Sequence, residues 1–94
     1  MSNVLVSVII PVFNRERFIN KSIRSILDQS LNKDQYEVIV VDDGSNDGTN
    51  QILNNYSDRI KILTNKKNYG LPYSLNRGIK KSQGRFVVRL DSDD

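Results

Sequence analysis

Cysteine and histidine are both absent from the 94-residue chain. Without cysteine there is no disulfide and no thiolate metal site. Without histidine there is no imidazole ligand, no Ser-His triad and no imidazole general base. A metal bound by these residues is bound through oxygen, which favours hard ions such as Mg²⁺ or Mn²⁺. No apolar run approaches the ~20 residues that span a bilayer. The start, Met1 to Val6, has neither a basic n-region nor a small-residue cleavage site, so no secretory signal is expected. A concentrated basic stripe is missing as well. The net charge of +3 is spread over Arg15, Arg17, Lys21, Arg24, Lys66, Lys67, Lys80 and Lys81. That scatter reads as solvated surface, and no nucleic-acid partner is expected.

What remains is ordinary for a small globular unit: 37% hydrophobic and 27% charged residues, with no repeat and no low-complexity tract. The length allows one domain over residues 1–94. Val4 to Val12 is a nearly unbroken β-branched run, the mark of a strand buried on both faces of a parallel sheet. Ile19, Ile23, Ile26 and Leu27 then recur at helical spacing, which predicts a helix over 15–29. Tyr36 to Val41 reads as a second buried strand. Asn46-Asp47-Gly48-Thr49 supplies turn and capping chemistry for a short helix, whose buried side is Ile52, Leu53 and Tyr56. Ile60 to Leu63 reads as a third strand. Leu71, Leu75 and Ile79 mark a third helix, with Pro72 in its first turn and Gly84 placed to end it. Phe86 to Leu90 reads as a fourth strand.

The order β-α-β-α-β-α-β predicts an α/β fold: a doubly wound, mostly parallel sheet with helices on both faces. Right-handed crossovers favour the strand order 3-2-1-4. Ligands of such sheets bind outside the carboxyl ends of the strands, where the order reverses. Phe13-Asn14, Asp42-Asp43 and the run Asp91-Ser92-Asp93-Asp94 fall at those ends. Five of the eleven acidic residues sit in the last two groups. Like charges so placed need a cation, hydrogen bonds or a retained proton. Turn chemistry and a solvated tail are the plain alternatives for each group taken alone. The dinucleotide pattern G-x-G-x-x-G and the P-loop pattern are both missing, so a metal held by carboxylates is the available way to meet phosphates.

These residues resemble a known family. Val6-Ser7-Val8-Ile9-Ile10-Pro11-Val12-Phe13-Asn14 is similar to the opening strand of the inverting glycosyltransferases of family 2, of the GT-A fold. Val40-Val41-Asp42-Asp43-Gly44-Ser45 with Asp47-Gly48-Thr49 resembles its second-strand motif. Asn68-Tyr69-Gly70 with Asn76-Arg77-Gly78 resembles the third-helix segment. Leu90-Asp91-Ser92-Asp93-Asp94 resembles the Asp-x-Asp metal motif. The resemblance implies that Pro11, Val12, Phe13 and Asn14 line a nucleotide pocket. It implies that Asp43 accepts the N3–H of a uracil or a comparable base edge, with Asp42 as the second candidate for a nucleotide contact. Asn76 and Arg77 are implied near the nucleotide or diphosphate; pairing with a surface acid is the alternative for Arg77. Asp91, Asp93 and Asp94 are implied at a Mn²⁺ or Mg²⁺ ion. Asp91 and Asp93 form the Asp-x-Asp pair, and Asp91 also contacts the nucleotide. One of Asp93 and Asp94 binds the metal directly while the other contacts ribose or sugar hydroxyls.

The implied partners are a nucleotide-sugar donor, foremost a UDP-sugar, and a glycan, lipid or protein acceptor. Family members continue past the Asp-x-Asp motif, so the general base is expected beyond Asp94 and these residues are expected to be a fragment, inactive alone. Its fourth strand is then an exposed edge through which copies self-associate. A cytoplasmic location is expected, at the inner face of a membrane for the longer protein, as in many relatives. Two other readings of an acidic α/β domain fit less well. A nucleotidyltransferase of this fold carries a Gly-rich basic loop after its first strand, where this chain has Pro11 to Arg15. A receiver domain needs its acid pair after the first strand and an Asp after the third, where Leu63-Thr64-Asn65 stands. A non-catalytic binding module stays open.

Overall fold

The computed structural model describes residues 4–29 and 34–91. Its elements run β1 (Val6–Val12), α1 (Ile19–Leu27), β2 (Tyr36–Asp42), α2 (Thr49–Asn54), β3 (Lys61–Thr64), α3 (Leu71–Lys81) and β4 (Phe86–Arg89). The four strands form one parallel sheet in the order β3-β2-β1-β4, as the alternation of elements predicted. Register runs from Val6↔Tyr36 to Val12↔Asp42 between the central strands. It runs from Ile39↔Lys61 to Asp42↔Thr64 on one side and from Val6↔Phe86 to Ile9↔Arg89 on the other.

The unbroken apolar runs are explained by two cores. Successive side chains of a strand point to opposite faces. Val8, Ile10, Val12, Val38 and Val40 pack with Ile19 and Ile23 of α1 and Leu53 of α2. Ile9, Ile39 and Val41 face the other way and pack with Leu75 of α3. Both faces of β1 and β2 are therefore dry. α3 comes unusually close to the sheet at Gly78, where an added Cβ would lie 2.7 Å from Ile9 Cγ2. Only glycine fits that approach without repacking.

Two boundaries differ from the sequence expectation. α1 begins at Ile19 and not at residue 15. The chain before it is tied elsewhere: the N–H groups of Asn14 and Arg15 donate to Ser45 Oγ and Thr49 Oγ1, both at 2.9 Å. Bonds to Ser45 and to the first residue of α2 hold this stretch, and the helix starts only after a turn closed on Arg15 O. α3 ends at Lys81, with Ser82 leaving in an extended conformation, so Gly84 does not terminate it. Gly84 serves a close approach: a Cβ there would sit 2.6 Å from Ser7 N.

β4 differs from the central strands. All four of its residues are exposed, including Phe86 at 59% and Val88 at 43%. Phe86 and Val88 lie on one face and Val87 on the other, so this edge strand is open on both sides.

Candidate functional site

At the carboxyl end of the sheet lies a cleft of about 410 Å³. The end of β1 contributes Pro11, Val12, Phe13 and, just beyond, Arg15. The loop after β2 contributes Asp43. Asn68, Gly70, Leu71 and Ser74 come from the loop after β3 and the start of α3, and Asp91 follows β4. The cleft thus opens where the strand order reverses about β1, the place at which a doubly wound sheet offers a crevice between diverging loops.

Asp43 is the best-anchored polar group in it. Its carboxylate is buried. Oδ1 accepts from Asn65 Nδ2 at 2.9 Å and from Tyr69 N–H at 2.8 Å. Oδ2 accepts from Gly70 N–H at 2.9 Å. A carboxylate oxygen has two lone pairs, so Oδ2 keeps capacity for a donor arriving in the cleft. The loop that supplies those amides presses on Gly44, which has φ +77°; a Cβ there would lie 2.5 Å from the Lys67 carbonyl carbon. Gly44 therefore lets the 65–70 loop reach Asp43.

Asn14 and Asp42 are placed beside the cleft and do not line it. Asn14 takes φ +52°, a conformation asparagine tolerates better than most residues. Its Oδ1 accepts from Asn46 N–H at 2.9 Å. Asp42 is fully buried on the face of α1 and α2; Oδ1 accepts from Ser45 N–H at 3.0 Å, and Oδ2 is buried with no partner among the described residues. Asp47 completes this clasp by accepting from Thr49 N–H at 2.9 Å and Glu16 N–H at 3.4 Å. Slight burial acts to raise its pKa, but the bonds from Thr49 and Glu16 outweigh that and hold it below the usual carboxylate range.

Asn76 is exposed on α3 and is not among the lining residues. Among the described residues Arg77 is neither in the cleft lining nor paired with an acid: its Nη1 donates to Asn65 Oδ1 at 2.8 Å. Asp91 lines the cleft, and its Oδ1 accepts from Arg89 Nη2 at 3.0 Å. Asp93 and Asp94 lie outside the described residues, and no three carboxylates cluster among the described ones. Asp91 nonetheless brings an oxygen donor to the cleft in a chain without histidine or cysteine, which fits a hard divalent ion.

Sequence reasoning passed over Arg15, Asn65, Asn68, Leu71 and Ser74. Arg15 looked like one more surface charge. The motif around Asn68 to Gly70 was the available signal for the loop, but nothing in it announced Asn65.

Residues 7–94 match the family described as Glycosyl transferase family 2. The UDP-Glc:alpha-D-GlcNAc-diphosphoundecaprenol beta-1,3-glucosyltransferase WfgD of Escherichia coli is 42% identical over 95 residues, covering 100% of this chain and 37% of that protein. The solved structure of S. aureus TarS 1-349 in complex with UDP-GlcNAc superposes with a TM-score of 0.89 at 36% identity, over 96% of this chain and 27% of that one. The mannosyltransferase PcManGT from Pyrobaculum calidifontis, in complex with GDP-Man and Mn²⁺, gives a TM-score of 0.89 at 28% identity, over 94% of this chain and 27% of that one. The chain spans about a third of the length of the curated relatives it matches.

Proposed function

The chain belongs to Glycosyl transferase family 2, and from that premise we propose that its cleft binds a nucleoside diphosphate sugar, whose sugar the protein transfers to an acceptor hydroxyl with inversion. The observation that carries this reading is Asp43: a buried carboxylate, fixed by three donors, with an unfilled lone pair on a cleft of nucleotide size. We assign Asp43 to the N–H edge of the base, uracil first. Pro11, Val12 and Phe13 form the apolar wall against which base and ribose lie. Arg15 sets a fixed positive charge on the same wall for the diphosphate oxygens. The UDP-sugar named for WfgD and the UDP-GlcNAc held by TarS support a uridine donor.

Breaking the glycosidic bond leaves charge on the diphosphate. We propose that Asp91, with Asp93 and Asp94, holds a Mn²⁺ or Mg²⁺ ion beside it, a reading the Mn²⁺ bound with GDP-Man in PcManGT supports. Such an ion supplies Lewis-acid stabilisation of the leaving group. Inverting displacement also needs a base for the acceptor hydroxyl. Asp43 is assigned to the nucleobase, so we place that base beyond Asp94, in keeping with the greater length of the relatives. The GlcNAc-diphosphoundecaprenol named for WfgD supports a lipid-carried glycan as acceptor, and with it action in the cytoplasm at the inner face of a membrane.

Calorimetric titration of the complete gene product with UDP-, GDP- and dTDP-sugars plus Mn²⁺ tests this reading. Metal-dependent binding, strongest for a uridine donor, is expected. Absence of binding by every sugar nucleotide overturns it.

A further inference from the structure

Asn65 follows the last residue of β3, and its N–H donates to Asp42 O at 2.8 Å, extending the β2–β3 ladder by one bond. That bond sets its side chain beside Asp43. The side chain is almost wholly buried, 4% exposed, and makes three bonds. Nδ2 donates to Asp43 Oδ1 at 2.9 Å and to Ser74 Oγ at 3.0 Å; Oδ1 accepts from Arg77 Nη1 at 2.8 Å.

The orientation of this amide is determined by its neighbours. A guanidinium has donors only, and an ionised carboxylate has acceptors only. The amide oxygen must therefore face Arg77 and its NH₂ must face Asp43; a flipped amide would set donor against donor and acceptor against acceptor. Arg77 thereby puts a positive charge one amide away from Asp43. A direct arginine–carboxylate fork would take up lone pairs on both carboxylate oxygens. The asparagine spacer instead uses a single position on Oδ1 and leaves Oδ2 facing Gly70 and the cleft.

We propose that Asn65 and Arg77 are positioning residues: the Arg77–Asn65 pair fixes the rotation of the Asp43 carboxylate so that its unfilled lone pair meets the base of the nucleotide. This rests on the nucleotide reading of the cleft. Neither residue touches the ligand. Chains of hydrogen bonds polarise one another, so Arg77 also strengthens the Asn65–Asp43 bond.

The complete gene product and four variants are titrated with UDP and GDP in the presence of Mn²⁺, with thermal melts alongside. Asn65→Ala removes one hydrogen bond to a charged group and weakens UDP binding about tenfold. Arg77→Leu weakens it about three- to fivefold and narrows the preference for UDP over GDP. Arg77→Gln keeps an N–H donor and restores binding to within about twofold of wild type. Asp43→Ala serves as the reference for full loss. Arg77 is only half-buried, so Arg77→Leu remains decisive even where Asn65→Ala fails to fold. An Arg77→Leu protein that melts like wild type and binds UDP like wild type, while Asp43→Ala has lost binding, overturns this inference alone. A wild type that binds no UDP overturns the nucleotide reading and this inference with it.

Discussion

Two carboxylates at opposite ends of the same sheet each gather three polar partners, yet their settings differ. Glu37, at the amino end of β2, accepts from Ser7 Oγ at 2.5 Å and Gln83 N–H at 2.6 Å, and Lys61 Nζ lies 2.7 Å from its other oxygen. Asp43, at the carboxyl end, accepts from one neutral side chain and two backbone amides. Glu37 has a cation in direct contact and ties the α3–β4 connection down, with Gly84 N–H donating to Ser7 Oγ at 2.8 Å. Asp43 has its cation one residue removed and opens on a cleft. Equal numbers of partners therefore serve different ends: one carboxylate is closed off by them, and the other is aimed by them. Burial acts to raise the Glu37 pKa, but the bonds from Lys61, Ser7 and Gln83 outweigh it and bring it below the ordinary glutamate value.

The comparison can be broken at several points. The largest effect is expected at Asp43. Asp43→Ala should reduce affinity for a uridine nucleotide roughly a hundredfold, about 2.7 kcal/mol, in line with loss of a charge-assisted bond in a dry cleft. Calorimetry that finds affinity within threefold of wild type removes Asp43 from the site. Glu37→Ala should do the reverse. It should cost about 2 kcal/mol of folding stability, because Lys61, Ser7 and the Gln83 amide lose a shared partner. Nucleotide affinity should move less than twofold; denaturant melts and titrations on the same samples decide it.

The pH dependence sharpens the same contrast. A carboxylate whose pKa is depressed by folding contributes stability above its unfolded value, and the contribution disappears as pH falls through the folded value. The stability gap between wild type and Glu37→Gln should thus be full at pH 7 and should close as pH drops below about 4.3. A gap that is unchanged at pH 3 would mean that Glu37 acts through packing and not through its charge. The smallest effect concerns the open edge. These 94 residues produced alone should self-associate weakly through β4, whose Phe86, Val87 and Val88 are exposed; unpaired strand edges invite such pairing. A sharp monomer peak in sizing with light scattering at high concentration would count against it.

Much of the fold was legible because apolar periodicity reports burial directly. The strands β1 and β2 announced two dry faces by lacking any polar alternation, and both cores are present. Of the expected site, Pro11, Val12, Phe13, Asp43 and Asp91 meet around one cleft. Asn14 and Asp42 stand at the right strand ends, but Asn14 and one oxygen of Asp42 bond to Ser45 and Asn46 and not to the cleft. The start of α1 was misjudged for the same reason: helical propensity cannot see that Thr49 and Ser45 will claim the N–H groups of Arg15 and Asn14.

By itself the sequence determined the alternation of elements, the parallel sheet and the strand ends at which chemistry gathers, since these follow from local periodicity and the handedness of crossovers. It also restricted any metal to oxygen ligands, because no other ligand side chain except the lone methionine's weak sulfur is present. Only the tertiary structure decided which polar residues share a bond. Asn65 is 22 positions from Asp43 and 12 from Arg77, and an isolated asparagine in a polar loop carries no mark of its partners. Packing of the β3–α3 loop against Gly44 brought the three together, and the aim of the Asp43 carboxylate follows from that contact.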